Sequence, residues 1–365
     1  MRIALTIHAM YGGGAERLMS QLATRWANAG HTIHLITWAA PHTDRFTLPA
    51  SIQRHGLDLM RASSNRFQGL LANYQRVQKL RATLQGIQPE FVLSFCDQMN
   101  IVTLQATRSL NVPVWIAEHS NPAMQKLGIL WERWRARTYP RCSGCIVLTQ
   151  SIADYLSRWV SSQRILVIPN AIELPVALAF QYPSTAPQSR IVLALGRLSP
   201  EKGMDILIEA WRKVHSQLDG WKLIIAGDGP QRVALEKQSQ GISSIDFLGW
   251  VDDPWSVYQQ AQIFVLPSRY EGFPVALVEA MSQSLACIAT RCTDAVDELS
   301  NNRTAVHLVA TDSSAEIATA ILTLANNRNY QLQLGAAARD ISANYLWTKI
   351  GPRWDNLLQS PRVSG

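Results

Sequence analysis

Short apolar runs alternate along the chain with longer segments in which apolar residues recur every three or four positions. Runs that stop at glycine, proline or polar residues are typical of buried strands in a parallel sheet, and the periodic segments are typical of helices that cover one. We therefore expect an α/β protein. The runs predict strands over residues 2–8, 32–37, 91–95, 114–117, 144–148 and 165–168, and again over 190–195, 222–226, 245–248, 263–266 and 287–289.

The strand-like runs fall into two groups. Between them, residues 174–189 hold three prolines, a Ser-Thr pair and little periodicity, which favours a linker. A chain of 365 residues is also long for one hydrophobic core. The sequence therefore predicts an N-terminal domain over 1–173, a linker over 174–189, a C-terminal domain over 190–344, and a helical tail over 345–365 that could pack across both domains.

Residues 268–281 read SRYEGFPVALVEAM and follow a predicted strand. Pro274 suits the first position of a helix, whose free N–H groups and dipole favour a phosphate, and Gly272 lets the backbone come close. Glu271 and Glu279 flank this turn, and carboxylates accept hydrogen bonds from hydroxyl groups. A ligand with a diphosphate between two hydroxyl-bearing groups would use all of these features. The alternative is an ordinary strand, turn and helix with solvated glutamates.

Two further turns between a strand and a helix carry features of a phosphate site. The turn GRLSPEKG places Arg197 and Lys202 near a helix start, where the arginine can donate a fork of hydrogen bonds and the lysine can act as a point charge. The other turn has contiguous glycines, whose spacing does not match the dinucleotide fingerprint G-x-G-x-x-G. The amides of Gly13 and Gly14 could still face a phosphate; the alternative is a merely tight turn.

A histidine follows the strand-like run at 114–117, in the sequence Glu-His-Ser-Asn-Pro. Ligands of α/β proteins bind beyond the carboxyl ends of the strands. His119 is therefore a candidate site residue, and the alternative is a structural histidine.

Positive charge is concentrated in the first half. Residues 1–175 hold 18 Lys and Arg against nine Asp and Glu, whereas the remaining residues hold 16 against 18. Such an excess favours an anionic partner, which could be a membrane, a lipid-linked phosphate or nucleic acid. Nucleic acid is the weakest of these interpretations, because no recognised nucleic-acid module is present. We expect no nucleic-acid partner.

Two segments of this half combine basic residues with apolar or aromatic ones. Residues 61–85 have the spacing of a basic amphipathic helix, which could lie on anionic lipid. Residues 126–141 place tryptophans beside arginines, as suits a headgroup region. The alternative for each is an outer helix with a solvated basic face. The candidate acceptor or membrane residues are Arg66, Arg76, Lys79, Arg81, Trp131, Trp134 and Arg135.

Composition argues against several other classes. No uncharged apolar run reaches the length of about 18 residues that a membrane span requires, and a strand-like pattern begins at once, so we expect a cytosolic protein without a signal peptide. The five cysteines do not form a disulfide framework, and the single C-x-x-C lacks a second pair, so reduced thiols are expected. No D-x-D motif occurs, and we expect no metal.

The sequence resembles the retaining glycosyltransferases of the GT-B fold over nearly its whole length. The resemblance is carried by two glutamates with seven residues between them and Gly-Phe-Pro after the first, by the turn GRLSPEKG, by Gly-Gly-Ala-Glu-Arg near the N terminus and by Glu-His-Ser-Asn after a strand. The last two are most similar to bacterial N-acetylgalactosamine transferases that act on polyprenyl-diphosphate-linked glycans. The resemblance implies two Rossmann-like parallel-sheet domains that face each other across a cleft.

The resemblance also implies roles for individual residues. Arg197 and Lys202 would hold the donor diphosphate, and Glu271 would contact the donor sugar. Glu279 would bind the ribose hydroxyls, and His119 would lie near the reacting carbon. No cofactor is implied, because the nucleotide sugar is a substrate. The remaining implied donor-binding residues are Gly13, Gly14, Val251, Gly272, Phe273, Pro274, Val275 and Ala276.

These observations predict a peripheral enzyme on the inner face of the cell membrane. It would move a sugar, such as an N-acetylhexosamine, from a nucleotide donor, which we expect to be UDP-linked, to a polyprenyl-diphosphate-linked glycan with retention of configuration. One alternative is a nucleotide-sugar epimerase of the same fold, which needs no acceptor. Another is a non-catalytic protein that binds nucleotide sugars and docks on membranes.

Overall fold

The computed structural model describes residues 1–60, 66–175 and 190–359, and only the backbone of residues 66–68 and 70. The chain divides into two compact units, one formed by Met1–Asn170 with Ile350–Gly365 and the other by Ala171–Lys349. Most of the predicted linker, residues 176–189, lies outside the described residues.

The first unit is built on a parallel sheet of seven strands. They are β1 (Arg2–Ile7), β2 (Thr32–Thr37), β3 (Gln53–Gly56), β4 (Phe91–Phe95), β5 (Val114–Ala117), β6 (Gly144–Val147) and β7 (Ile165–Val167), and they pair in the order β3-β2-β1-β4-β5-β6-β7. Strands β4, β5 and β6 are buried at every position, as expected for strands covered on both faces. The covering helices are α1 (Gly14–Asn28), α2 (Arg66–Ile87), α3 (Asp97–Ala106), α4 (Ile129–Thr138) and α5 (Gln150–Leu156).

The second unit has a parallel sheet of six strands. They are β8 (Ile191–Leu195), β9 (Lys222–Ala226), β10 (Ile245–Gly249), β11 (Ile263–Leu266), β12 (Ala286–Thr290) and β13 (Val306–Val309), in the order β10-β9-β8-β11-β12-β13. Its helices are α6 (Met204–Val214), α7 (Arg232–Gln238), α8 (Pro254–Tyr258), α9 (Val275–Ser282), α10 (Asp294–Ser300), α11 (Ser314–Asn326) and α12 (Arg328–Ser342). The last helix, α13 (Trp347–Gln359), belongs to the first unit from Ile350 onward.

The strand order reverses once in each sheet, between β1 and β4 and between β8 and β11. Ligands of open α/β sheets bind outside the carboxyl ends of the strands at such a reversal. Strand β8 leads into the turn GRLSPEKG and β11 leads into SRYEGFP, so the fold brings both predicted phosphate-site turns to the reversal point of the second sheet.

Close packing of these two turns depends on one glycine. Gly203, just before α6, has a φ of 64°, and a Cβ atom there would lie 2.1 Å from the carbonyl oxygen of Pro267. Only glycine adopts this left-handed conformation without strain and leaves room for the neighbouring backbone. The position of the first turn against the end of β11 therefore requires Gly203.

Strand β13, at the edge of the second sheet, was not predicted, and neither was β3. The sequence of β3, Gln-Arg-His-Gly, has no apolar run, and β3 lies at the edge of the first sheet. Edge strands are short and often carry charged residues, and Arg54 of β3 pairs with Asp44 at 2.8 Å. An apolar pattern therefore cannot reveal it.

Candidate active site

The reversal point of the second sheet holds a partly buried ion pair. The Lys202 Nζ atom lies 2.7 Å from Oε1 and 2.9 Å from Oε2 of Glu271, and the Ser268 hydroxyl donates to the same Oε1 at 2.7 Å. Burial disfavours the charged amine, but the Glu271 carboxylate overcomes this and raises the pKa of Lys202. A cation and a carboxylate, two of the predicted donor-binding groups, are thus held together in fixed geometry.

A second cation lies on the same turn. The side chain of Arg197 is exposed and forms no ion pair within the part of the chain that the structure describes. Its guanidinium is therefore available to an anionic ligand beside Lys202.

The helix start in the SRYEGFP turn differs in detail from the prediction. Helix α9 begins at Val275, with Pro274 as the residue before it. The Val275 N–H donates to the carbonyl of Phe273 at 3.0 Å, so one of the two amides expected to meet a phosphate is already engaged, and Ala276 is the other. Gly272 is partly exposed, as the expected close approach requires.

The other predicted donor residues have diverse surroundings. Glu279 is buried and accepts a hydrogen bond from the Tyr258 hydroxyl at 2.9 Å, so a ribose would share its carboxylate with that tyrosine. The Phe273 ring is buried and lies 5.5 Å from the ring of Tyr345, which gives it a packing contact. Val251 is partly exposed.

Arg269 joins the two turns and was not selected from the sequence. Its guanidinium donates to both carboxylate oxygens of Asp205 at 2.9 and 2.7 Å and to Asp312 at 2.7 Å. Its backbone N–H donates to the carbonyl of Glu201 at 2.8 Å. The hydrogen bonds that Arg269 donates to Asp205 raise the pKa of Arg269. Arg269 therefore fixes the GRLSPEKG turn and the start of α6 relative to the SRYEGFP turn.

In the first unit, His119 lies two residues beyond β5. Its ring lies 4.3 Å from the ring of Phe95, and both ring nitrogens are buried without a hydrogen-bond partner among the described residues. Burial lowers the pKa of His119 to about 3. The imidazole is therefore neutral near pH 7 and has an unsatisfied donor and acceptor for a ligand.

The glycine-rich turn is followed by an acidic side chain, Glu16, that had no predicted role. Gly13 precedes α1. A Cβ atom on Gly13 would lie 2.4 Å from Oε2 of Glu16. The Glu16 side chain is buried, and its Oε1 atom lies 3.7 Å from Nε2 of His8. A phosphate approaching the amides of Gly13 and Gly14 would first meet this carboxylate. Contact with a phosphate therefore requires Glu16 to move, and it stays a prediction.

The basic side chains of α2 do not form the free basic face that was expected. Arg76, Lys79 and Arg81 all donate to backbone carbonyl groups of their own unit, at 3.0 to 3.2 Å, and the Arg76 guanidinium lies 4.6 Å from the ring of Trp38. These cations stabilise the unit internally. The Arg66 side chain lies outside the described part of the chain.

The expectation that Arg135 contacts lipid is wrong. Its side chain is fully buried, donates to Glu132 at 3.1 and 3.2 Å, and lies over the rings of Tyr139 and Trp159. Trp131 and Trp134 are partly buried and stack on each other with ring centroids 5.1 Å apart.

A different set of side chains is exposed around the start of α4. Met124, Ile129 and Leu130 are 61%, 74% and 63% exposed, and we call these three residues the apolar tip. Lys126 and Arg133 are exposed beside them. The apolar tip lies in the connection between β5 and β6 that also carries His119.

The described residues contain neither a candidate membrane-spanning helix nor a candidate metal-binding cluster. No helix there combines the length and the hydrophobicity needed to cross a bilayer. No cluster of three or more histidine, cysteine, aspartate or glutamate side chains there could hold a metal ion.

Two family models match the chain. The model described as Glycosyltransferase Family 4 matches residues 12–175, and the model described as Glycosyl transferases group 1 matches residues 189–327. The chain therefore carries glycosyl transferase group 1 family domains. Both predicted domains of this glycosyltransferase are thus covered, and the predicted family is confirmed.

A curated relative aligns over the full length of this glycosyltransferase. It is an alpha-1,4-N-acetyl-D-galactosaminyltransferase of Campylobacter jejuni, and its name specifies a glycan linked to PP-undecaprenol. The two sequences are 26% identical over 360 residues, which is 98% of each chain.

Solved structures confirm the fold of the glycosyltransferase. Sucrose-phosphate synthase from Thermosynechococcus elongatus has a TM-score of 0.83 at 20% identity and covers 99% of this chain and 98% of its own. The Anabaena protein HepE, in complex with UDP and glucose, has a TM-score of 0.78 at 18% identity and covers 99% and 100%. The two parallel sheets are those of the GT-B fold, as the sequence predicted. The roles of individual residues stay predictions.

Proposed function

We propose that this glycosyltransferase moves an N-acetylhexosamine from a UDP-linked donor to a polyprenyl-diphosphate-linked glycan, with retention of configuration. The observation that carries the donor half of the proposal is the Lys202–Glu271 pair at the reversal point of the second sheet. The Campylobacter relative, which is named for transfer onto a PP-undecaprenol glycan, supports the acceptor class, and the UDP in HepE supports the donor class.

Donor binding in this mechanism depends first on neutralising the negative charge of the diphosphate. The diphosphate of a nucleotide sugar carries negative charge that increases on its leaving oxygen as the glycosidic bond loosens. Arg197 and Lys202 neutralise that charge, and the amide of Ala276 adds a dipole. Since cations of the chain perform this step, the proposal assigns no role to a metal ion.

Glu271 orients the donor sugar. Its carboxylate is fixed by Lys202 and Ser268, so it can accept sugar hydroxyls without a large rearrangement. The Lys202 ammonium group keeps its hydrogen bonds to Glu271 while it contacts the diphosphate. Pre-organised groups of this kind avoid the cost of reorientation during the reaction.

His119 has the role that the sequence resemblance implies, close to the reacting carbon of the donor sugar. Its neutral ring cannot donate a proton as an imidazolium near pH 7, because burial holds its pKa at about 3. We therefore assign it a hydrogen bond to the donor sugar near the reacting carbon, which orients the sugar and stabilises the charge that develops there.

The acceptor lipid requires the enzyme to work at a membrane surface. The apolar tip could enter the interfacial region while Lys126 and Arg133 meet anionic headgroups, which is the arrangement of an interfacial anchor. The tip follows His119 in one connection, so an anchored tip would keep the proposed sugar-orienting residue near a lipid-linked acceptor. This supports a peripheral location at a membrane surface, for which we propose the cytoplasmic face.

The proposal is tested by a screen of radiolabelled nucleotide sugars against lipid-linked acceptors, with products extracted and separated by polarity. We expect label in the lipid fraction only when a UDP-linked N-acetylhexosamine and a polyprenyl-diphosphate glycan are both present. Conversion of the donor without acceptor would indicate an epimerase. Binding of the donor without any product would indicate a docking protein. Either outcome would contradict the proposal.

A further inference from the structure

Buried polar atoms without partners are concentrated around the His119 segment. Among the described residues, 11 buried side-chain nitrogen and oxygen atoms lack a hydrogen-bond partner, and six of them belong to Asn100, Glu118, His119 and Arg135. Buried polar atoms are nearly always hydrogen-bonded in folded proteins, and a concentration of exceptions indicates a functional region. His119 already has a proposed role, whereas Glu118 and Arg135 do not.

Glu118 is fully buried directly after β5. Its backbone N–H donates to the carbonyl of Ile146 on β6 at 2.9 Å, which continues the sheet by one residue. The Tyr139 hydroxyl donates to Oε1 of Glu118, while Oε2 has no partner among the described residues. One carboxylate oxygen is thus held and the other is not.

Arg135 supplies positive charge to this region. Its guanidinium donates to Glu132 and lies 3.9 Å from Oδ2 of Asp97, but its Nε and Nη2 atoms form no hydrogen bond with described residues. Removing a charged group from water is costly unless it is paired. Glu132 and Asp97 therefore neutralise Arg135 only in part, and an ionised Glu118 supplies further negative charge.

Glu118 and His119 contact different parts of the unit. Successive side chains at the end of a strand point to opposite faces of the sheet. Glu118 contacts Tyr139, whereas His119 packs on Phe95, whose ring also lies 5.8 Å from that of Trp354. Glu118 thus has no direct contact with a ligand of the His119 ring and can act only through the backbone that the two residues share.

The charge of Glu118 is sensitive to its neighbours. Burial raises the pKa of Glu118 to about 7; Arg135 opposes this rise, Asp97 adds to it, and the hydrogen bond from Tyr139 opposes it. Burial also raises the pKa of the two nearby thiols, Cys96 and Cys145, which therefore stay neutral. The titratable or polar groups that face Glu118 come from α3 and the residue before it (Cys96, Asp97, Asn100), from α4 and the turn after it (Arg135, Tyr139), and from β6 (Cys145).

We propose that Glu118 is a positioning residue for His119, and that its ionised carboxylate, held by Tyr139 and attracted by Arg135, fixes the end of β5 in the arrangement needed for turnover. The Tyr139 O–H and the unpaired N–H groups of Arg135 are all donors, so they favour a carboxylate over a protonated acid. Protonation loosens the arrangement. This inference rests on the proposed glycosyl transfer.

The experiment compares the pH dependence of kcat and of the donor KM for the wild type and two variants. In the wild type we expect kcat to rise with pH around a midpoint near 7 while KM changes little. Glu118→Gln keeps the shape but cannot ionise, so it should lose this rise and have a kcat about tenfold lower at high pH. Tyr139→Phe removes a hydrogen bond that lowers the pKa of Glu118, so its midpoint should move to higher pH.

Glu90→Gln is the matched control. Glu90 is exposed just before β4, at the opposite end of the sheet, and carries the same chemical change. Its pH profile should coincide with that of the wild type. A Glu118→Gln profile that coincides with the wild type, or is only lowered in parallel together with a lower melting temperature, would overturn the inference.

A second readout separates this inference from the proposed function. The ring resonances of His119, assigned by comparison with His119→Gln, should shift with a midpoint near pH 7 in the wild type and not in Glu118→Gln. The shift does not depend on finding the substrates. A wild type without transfer but with this shift would contradict the proposed function alone, and the absence of the shift would contradict the positioning role.

Discussion

The Lys202–Glu271 pair can be tested by charge removal without a change in shape. Lys202→Met and Glu271→Gln should each lower kcat by about 10²–10³, the loss typical for removal of one preorganised electrostatic contact. Radiolabel transfer at saturating donor measures this. Lys222→Met is a suitable control, because Lys222 pairs with Asp246 at 3.1 Å on the exposed surface of the same unit. Unchanged turnover in both site variants would contradict the donor assignment.

Glu118 also makes a prediction about stability. Its pKa is raised from an ordinary value of 4.5 to about 7 in the folded chain, so the folded state binds a proton more tightly than the unfolded state does. This contribution to the free energy of unfolding is complete below pH 4.5 and is lost as the pH rises to 7. Compared with Glu118→Gln, the wild type should therefore lose stability across that interval. Denaturant unfolding at several pH values measures it, and a constant difference would refute the assignment.

At the scale of single residues, sequence patterns predicted the chemistry of a side chain better than they predicted its surroundings. Arg197, Lys202, Glu271 and His119 were selected from motifs, and each lies at the carboxyl end of a strand. Arg135 was misassigned because an arginine among tryptophans has the same sequence signature in a buried cluster as at a membrane interface. Only three-dimensional burial separates the two cases.

Among the elements, the apolar tip makes the clearest prediction. The double change Ile129→Ser and Leu130→Ser should weaken binding to vesicles of anionic phospholipid by at least about tenfold, since full burial of each side chain contributes about 1.5–3 kcal/mol. Vesicle co-sedimentation measures this. Val233→Ser is the matched control, because Val233 is 79% exposed on the second unit. Equal binding by wild type and the double variant would contradict membrane docking through the tip.

Arg269 makes a second prediction at this scale. Arg269→Leu and Asp205→Asn should each raise the Kd for the nucleotide sugar by about tenfold, which corresponds to about 1.4 kcal/mol, because either change releases the GRLSPEKG turn from the SRYEGFP turn. The double variant should be no worse than the single variants, since both remove the same contact. Isothermal titration with donor measures the three values. Fully additive losses would contradict the clamp.

The elements that the sequence predicted differ physically from those that it missed. The covered strands of both sheets produce apolar runs and were located within one or two residues. Strand β3 is held by its pairing with β2 and by the ion pair of Arg54 with Asp44, neither of which produces a periodic pattern. The Arg269 clamp joins residues 64 positions apart and becomes visible only after the sheet is assembled.

At the scale of the whole molecule, each unit carries some of the predicted site residues. The second unit carries Arg197, Lys202 and Glu271, and the first unit carries His119. The unequal charge of the two halves agrees with a division of labour in which the basic first half meets the anionic lipid acceptor.

The most direct measurement is the single-turnover rate of sugar transfer by His119→Ala at saturating donor and lipid-linked acceptor. Since the ring is neutral and orients the sugar, the variant should bind the donor with an affinity close to that of the wild type and transfer it at least about 100-fold more slowly. A His119→Ala variant that transfers the sugar at the wild-type rate would contradict the role proposed for His119.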